Sequence, residues 1–207
     1  VQAAKDALDQ GSTHYVDSSG IQELREAVCD FTERSQGFRP DLSQVLIAPA
    51  NAVIDFLIRC IANSGDEILI PNPGFPTYSS VISYTGMKPV MVPLDEGSGF
   101  AMNPQDVRSR ITERTRLIVI NSPQNPTGAV MTKQEIDEIY DIAKKSGSFL
   151  LSDEIYSRII YDKVHYSPCV RDKCREATIM LNGFSKAYSM TGWRLGYAIG
   201  PEKVIEK

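Results

Sequence analysis

Histidine is scarce in this sequence. Only His14 and His165 occur, far apart and outside any HExxH spacing, so a histidine-ligated metal hydrolase has no ligand set to build on, and no metal site is expected. Either imidazole is compatible with a surface position. The four cysteines, Cys29, Cys60, Cys169 and Cys174, lack the paired short spacing of a zinc site or a disulfide framework, so reduced thiols in a cytoplasmic protein are the expectation. Positive charge is also short: 22 Lys and Arg face 26 Asp and Glu, for a net charge of -4, which leaves no basic footprint for nucleic acid. No apolar run approaches the ~20 residues of a membrane span, and there is no internal repeat or low-complexity tract. The expectation is a soluble protein.

What the sequence does contain is an ordinary globular composition. Its 207 residues are 42% hydrophobic and 23% charged, enough to bury one large core, and one domain over 1–207 is expected. The opening residues VQAAKDALDQG carry Val1, Ala4 and Leu8 at helical spacing, with Gly11 as a stop. The chain begins without methionine and ends about two turns after Pro201 opens a helix in GPEKVIEK. It reads as cut from something longer.

Between the ends, helical and strand patterns alternate. Ile21, Leu24, Val28 and Phe31 share a helical face before Gly37, and QVLIAPAN reads as a strand leading into a helix over NAVIDFLIRCIANSG. Strand patterns follow in DEILIP, KPVMVPL, RLIVIN, SFLLSDEIY, TIMLNGF and RLGYAIG. Helical patterns in YSSVISYTG, NPQDVRSRI and TKQEIDEIYDIAKKSG are interspersed among them. Short, nearly continuous apolar strands alternating with amphipathic helices predict a three-layer α/β/α fold with a mostly parallel central sheet. GSGFAMNP and YDKVHYSPCVRDKCREA are the longest irregular pieces, and neither marks a domain boundary.

In such sheets ligands gather outside the carboxyl ends of the strands, where several polar residues fall. Asp153 closes an apolar strand; it reads either as a turn or capping acid or as a buried carboxylate facing a protonated ring nitrogen. Tyr156 reaches the same ligand if the chain turns after that strand. Asn125 sits between Pro123 and Pro126 in NSPQNPTG, so a stiff backbone would hold its amide. Phe75 in IPNPGFPTY either caps the core or stacks on a planar ring. Ala50 and Asn51, where a strand passes into a helix, offer free N–H groups suited to a phosphate, and Arg194 offers a countercharge. In NGFSKAYSMTGWRLGY, Lys186 beside Ser185 and Tyr188 is either a solvated charge or an amine nucleophile.

Taken in order, HYVDSSGIQELREAV, GDEILIPNPGFPTY, NSPQNPTGAV, SDEIY and GFSKAYSMTGWRLGYAIGP resemble the large domain of fold-type I pyridoxal-phosphate enzymes. The similarity is to class I and II aminotransferases near the aspartate aminotransferase subgroup. The resemblance implies that Lys186 holds the cofactor as a Schiff base and later moves the substrate proton. Asp153 matches the carboxylate facing the pyridinium nitrogen, and Asn125 and Tyr156 the pair bonding its phenolic oxygen. Phe75 matches the stacking aromatic, Arg194 the phosphate-binding arginine, and Ala50 and Asn51 the phosphate loop. Tyr15 matches a tyrosine that reaches a phosphate across a dimer interface, which implies a homodimer.

Two positions depart from that pattern. Pro49 stands where relatives commonly have glycine and has no N–H to offer. Gly183 lies where many relatives have a phosphate-binding serine, for which Ser185 is the candidate substitute. The implied activity is reversible amino transfer between an amino acid and a 2-oxo acid. Two alternatives share the scaffold: a pyridoxal-phosphate C–S lyase, and a non-catalytic ligand-sensing module. The resemblance also places the arginine that binds the substrate α-carboxylate in a smaller carboxy-terminal domain outside 1–207, so little or no turnover is expected of these residues alone.

Overall fold

The structure, a computed structural model, describes residues 1–207. In chain order its elements are α1 (Gln2–Asp9), α2 (Gln22–Gln36), β1 (Val45–Ile47), α3 (Ala50–Ile61), β2 (Glu67–Asn72), α4 (Pro76–Tyr84), β3 (Lys88–Pro93), α5 (Pro104–Arg108), β4 (Thr115–Asn121), α6 (Lys133–Ser146), β5 (Phe149–Asp153), α7 (Cys169–Asp172), β6 (Thr178–Gly183), β7 (Gly196–Ile199) and α8 (Glu202–Ile205). Local chemistry accounts for many of the boundaries. Thr132 and Glu135 form a reciprocal capping box at the start of α6, and Gly147 ends it in the left-handed region. α4 begins at Pro76, two residues before the apolar pattern would start it. Proline at the first helical position sacrifices an N–H that has no intrahelical partner anyway.

All seven strands form one sheet in the order β1-β7-β6-β5-β4-β2-β3. Only β7 runs against the rest, pairing antiparallel with both β1 and β6. Strand alternation sorts the side chains between two layers. Ile68, Leu117, Val119, Leu151, Ile179, Leu181 and Ala198 pack under α3 and α4, while Leu69, Ile118, Ile120 and Leu150 pack against α6. Met180, Tyr197 and Ile199 continue that second layer against Val28 and Cys29 of α2. This is the mostly parallel α/β/α sandwich expected from the sequence.

The segment 161–177 is less irregular than its sequence suggests. It contains α7, and the Asp172 carboxylate accepts from the N–H groups of Cys174, Ala177 and Thr178 at 2.9–3.0 Å. All four cysteines are free thiols, three of them buried. Burial pushes the Cys174 thiol well up, and the neighbouring Cys169 pushes it further.

Gly20 shows how tightly the residues after α1 are seated. The Ser19 carbonyl accepts from Ile47 N–H at 2.9 Å, and Gly20 has φ +101°, with any Cβ falling 2.5 Å from the Ile47 side chain. Both the backbone angle and the space oppose a side chain there. Gly20→Ala is expected to cost roughly 2–3 kcal/mol, read as a lowered urea midpoint at unchanged slope. An unchanged midpoint would show that this contact contributes nothing.

Candidate functional site

The carboxyl ends of β4, β5 and β6 form the floor of a cavity of about 270 Å³. Asn121 and Asp153 are register partners at the last positions of β4 and β5, and both point to the layer that α3 and α4 cover. Asn121 is buried and donates through Nδ2 to the Asp153 carbonyl at 3.0 Å, while its Oδ1 accepts from Asn125 N–H at 2.8 Å. Gln124 ties the same loop to Pro73, its Nε2 donating to the Pro73 carbonyl at 2.8 Å, while its Oε1 accepts from the N–H and hydroxyl of Thr127. The Asn125 side chain thus stands on a loop fixed by side-chain hydrogen bonds as well as by its prolines.

Asp153 is 6% exposed. Its Oδ2 accepts from the Tyr78 hydroxyl at 2.5 Å and its Oδ1 from Ile155 N–H at 3.2 Å. Burial raises its pKa to about 6 against the ordinary 3.8. The Tyr78 and Ile155 hydrogen bonds oppose that rise, and Glu154 adds to it. Such a carboxyl is poised to meet a cation in the cavity. After β5 the chain turns over 155–158, which brings Tyr156 to the wall.

Lys186 projects from the turn that follows β6, its Nζ 5.7 Å from the centre of the Tyr156 ring. The turn is closed by Ser189 N–H to the Lys186 carbonyl and Met190 N–H to the Ser185 carbonyl. Phe184 anchors it against Tyr197 and Tyr188. On the opposite wall α3 begins. The Pro49 carbonyl accepts from Ala52 and Val53 at 2.9 and 3.1 Å, and no oxygen of the chain accepts from Ala50 or Asn51 N–H, so two residues that line the cavity carry open donors at the positive end of a helix dipole. Arg194 lines the same end, in the left-handed region at φ 54°, with one nitrogen donating to the Thr191 carbonyl.

Nine of the ten residues singled out from the sequence line this one cavity: Ala50, Asn51, Phe75, Asn125, Asp153, Tyr156, Ser185, Lys186 and Arg194. Tyr15 does not; it is fully exposed. Phe75 is partly buried against the core and meets Tyr78 edge to face at 5.7 Å, so capping the core and walling the cavity are one placement. Pro49 removes one N–H from the helix start but leaves its neighbours' donors open. A side chain at Gly183 would press on Ile155 at 3.0 Å and on the backbone of Gly196 at 3.1 Å, so the close pairing of β6 with β7 leaves little room for a serine there.

Sequence reasoning missed Tyr78, read only as the start of a helix; its place three residues after Phe75, on the same helical face, is the signal that would have found it. His165 is no surface residue. Its side chain is 11% exposed, and Nε2 lies 2.9 Å from Glu154 on the side of the sheet away from the cavity, where Ser152 and Ser167 also bond that carboxylate.

Comparison with known proteins bears on the family and the fold. The profile of the family described as aminotransferase class I and II matches residues 1–207. The chain is 41% identical to the aspartate aminotransferase of Pyrococcus abyssi and 42% identical to aromatic-amino-acid aminotransferase 2 of Thermococcus litoralis, covering 99% of this chain and 53% of each relative. It superposes on the aspartate aminotransferase of Thermus thermophilus, solved with maleate, with a TM-score of 0.96 at 37% identity, over 99% of this chain and 53% of that one. It therefore spans about half the length of the relatives it matches. On sequence and fold together, the chain belongs to the class I and II aminotransferase family.

Proposed function

We propose that residues 1–207 form the large, cofactor-binding domain of a pyridoxal-phosphate-dependent aminotransferase. One observation carries the reading: a buried carboxylate, a lysine, an amide, a phenol and an open helix start with an arginine all line one cavity at the strand ends. That donor set fits the cofactor. The two open N–H groups of Ala50 and Asn51, the Arg194 guanidinium and the Ser185 hydroxyl suit a phosphate dianion. Asp153, whose charge is costly without a partner, suits a protonated ring nitrogen.

When bound, pyridoxal phosphate supplies an aldehyde carbon for covalent capture of an amine and a ring that accepts the electron pair released at the substrate Cα. The chain's own residues do the rest. Asp153 holds the proton on the ring nitrogen, and Asn125 Nδ2 and the Tyr156 hydroxyl donate to the phenolic oxygen. Phe75 covers one ring face and keeps water from it. Lys186 Nζ anchors the cofactor and then carries the proton at the substrate Cα. The reading extends to a cytoplasmic homodimer acting in amino acid metabolism, in which Tyr15, exposed here, reaches the partner's phosphate site. The substrates are an amino acid and a 2-oxo acid; relatives named as aspartate and aromatic aminotransferases make those donors the first to test.

Because the chain spans about half of its relatives, the substrate carboxylate is proposed to be held by residues outside 1–207. Assays with aspartate, aromatic and alanine donors and a 2-oxo acid acceptor are expected to show amino transfer in a full-length version and little in residues 1–207. With an S-substituted cysteine as substrate, release of a thiol, ammonia and pyruvate without dependence on a 2-oxo acid would instead establish a C–S lyase. Cofactor binding with no reaction in the full-length version would favour a ligand sensor, and full activity from residues 1–207 would overturn the divided site.

A further inference from the structure

Tyr78 has no role in the reading above, yet it is bonded to the site's central carboxylate. It is 1% exposed, on the first turn of α4, and packs in the core layer with Ile54, Ile70 and Val119. Its hydroxyl donates to Asp153 Oδ2 at 2.5 Å. With Ile155 N–H on Oδ1 at 3.2 Å, both carboxylate oxygens are held, and the group cannot rotate without breaking one of the two bonds. The same ring meets Phe75 edge to face at an interplanar angle of 85°. One side chain therefore touches both the carboxylate at the cavity floor and the aromatic on its wall.

We propose that Tyr78 is a positioning residue: its hydroxyl keeps Asp153 ionised and in one orientation toward the cofactor's ring nitrogen, and its ring edge sets the plane of Phe75. The inference rests on the pyridoxal-phosphate reading and adds a determinant to it. A phenol suits this task because it stays a donor; burial and the adjacent Asp153 push its own ionisation well up, so it does not become a competing anion. The other titratable and charged groups around Asp153 are Glu154 on its own strand end, Tyr156 on the following turn, and Lys186 and Arg194 across the cavity. Among the groups acting on Asp153, the Tyr78 hydrogen bond is the largest influence favouring the anion, and burial the largest opposing it. Removing the hydroxyl raises the carboxyl further, into the range where it is partly neutral and no longer holds the ring nitrogen's proton.

The test is the affinity for pyridoxal 5′-phosphate as a function of pH, titrated by absorbance into wild type, Tyr78→Phe, Asp153→Asn and the double variant. Tyr78→Phe keeps the ring and its packing, and is expected to weaken binding about ten-fold at neutral pH and to move the acid limb of the profile to higher pH. In the Asp153→Asn background the same substitution is expected to change neither quantity, because the hydroxyl acts through the carboxylate. Tyr78→Leu, which removes the hydroxyl and also the ring edge that meets Phe75, is expected to show the same shifted limb with a larger loss of affinity. An unmoved limb with affinity within about two-fold of wild type, or an equal loss in both backgrounds, overturns the proposal and leaves the cofactor reading intact. Absence of binding by wild type overturns that reading and the inference resting on it.

Discussion

Replacing Lys186 by alanine is expected to abolish the absorbance band near ~420 nm given by covalently held pyridoxal phosphate, and to lower turnover of the full-length protein by about 10⁴-fold or more. The size follows from the two tasks proposed for this one amine: covalent anchoring of the cofactor and proton transfer at the substrate Cα. The structure makes the result easy to interpret. Lys186 is exposed on a turn, its nearest aromatic 5.7 Å away at Tyr156, and the turn is closed by backbone bonds and by Phe184 rather than by the lysine side chain. Stability is therefore expected to change by no more than ~0.5 kcal/mol. A variant that keeps turnover refutes the role, and one that loses turnover together with its thermal transition attributes the loss to folding.

Asp153→Asn is expected to split stability from function. The buried carboxyl has its folded pKa raised to about 6 from the ordinary 3.8, so between those values the native state keeps a proton that the unfolded chain has released. The stability contributed by the protonated form is complete below the unfolded value and is lost as pH rises through the folded one. Above that, the ligand-free protein carries a buried anion at a cost of up to ~3 kcal/mol. Asparagine removes that charge, so the ligand-free variant is expected to be more stable than wild type at pH 8 and to lose the wild-type fall in stability between pH 4 and 7. The gain is less than the full cost, because an amide nitrogen replaces an oxygen that accepts from Tyr78 or Ile155. Cofactor-dependent turnover is expected to fall by about 10²–10³-fold, since a neutral amide does not hold the ring nitrogen's proton. Denaturant midpoints across pH on the cofactor-free protein, set beside turnover with cofactor, test both halves. A variant that is destabilised at pH 8 contradicts the account of the charge, and undiminished turnover contradicts its function.

Much of this architecture is legible in the sequence. The layered α/β/α fold follows from apolar strands such as RLIVIN alternating with amphipathic helices such as α6, whose ends are marked by local signals, the Thr132 and Glu135 capping box at one and Gly147 at the other. The cavity residues were legible for a similar reason: Asp153 ends a strand, Asn125 and Lys186 each follow one, and parallel strands deliver their carboxyl ends to one edge. Less legible were features that depend on what a side chain meets far away in the chain. The direction of β7 is set by pairing with β1 and β6 rather than by its own residues. His165 carries no local sign that it folds back onto Glu154, eleven positions earlier.

The sequence by itself determined the order of elements, the alternation that sends Asp153 to one face and Glu154 to the other, and the family, because these rest on local periodicity and on motifs a few residues long. Only the tertiary structure decided the electrostatic state of the site. The raised pKa of Asp153 and the clasp of its two oxygens by Tyr78 and Ile155 depend on which groups share a water-poor space, and the pair of open N–H groups at Ala50 and Asn51 on α3 starting beside the strand ends. Burial and hydrogen bonding between residues as distant as 78 and 153 are properties of packing, and packing is fixed only when the whole sheet closes.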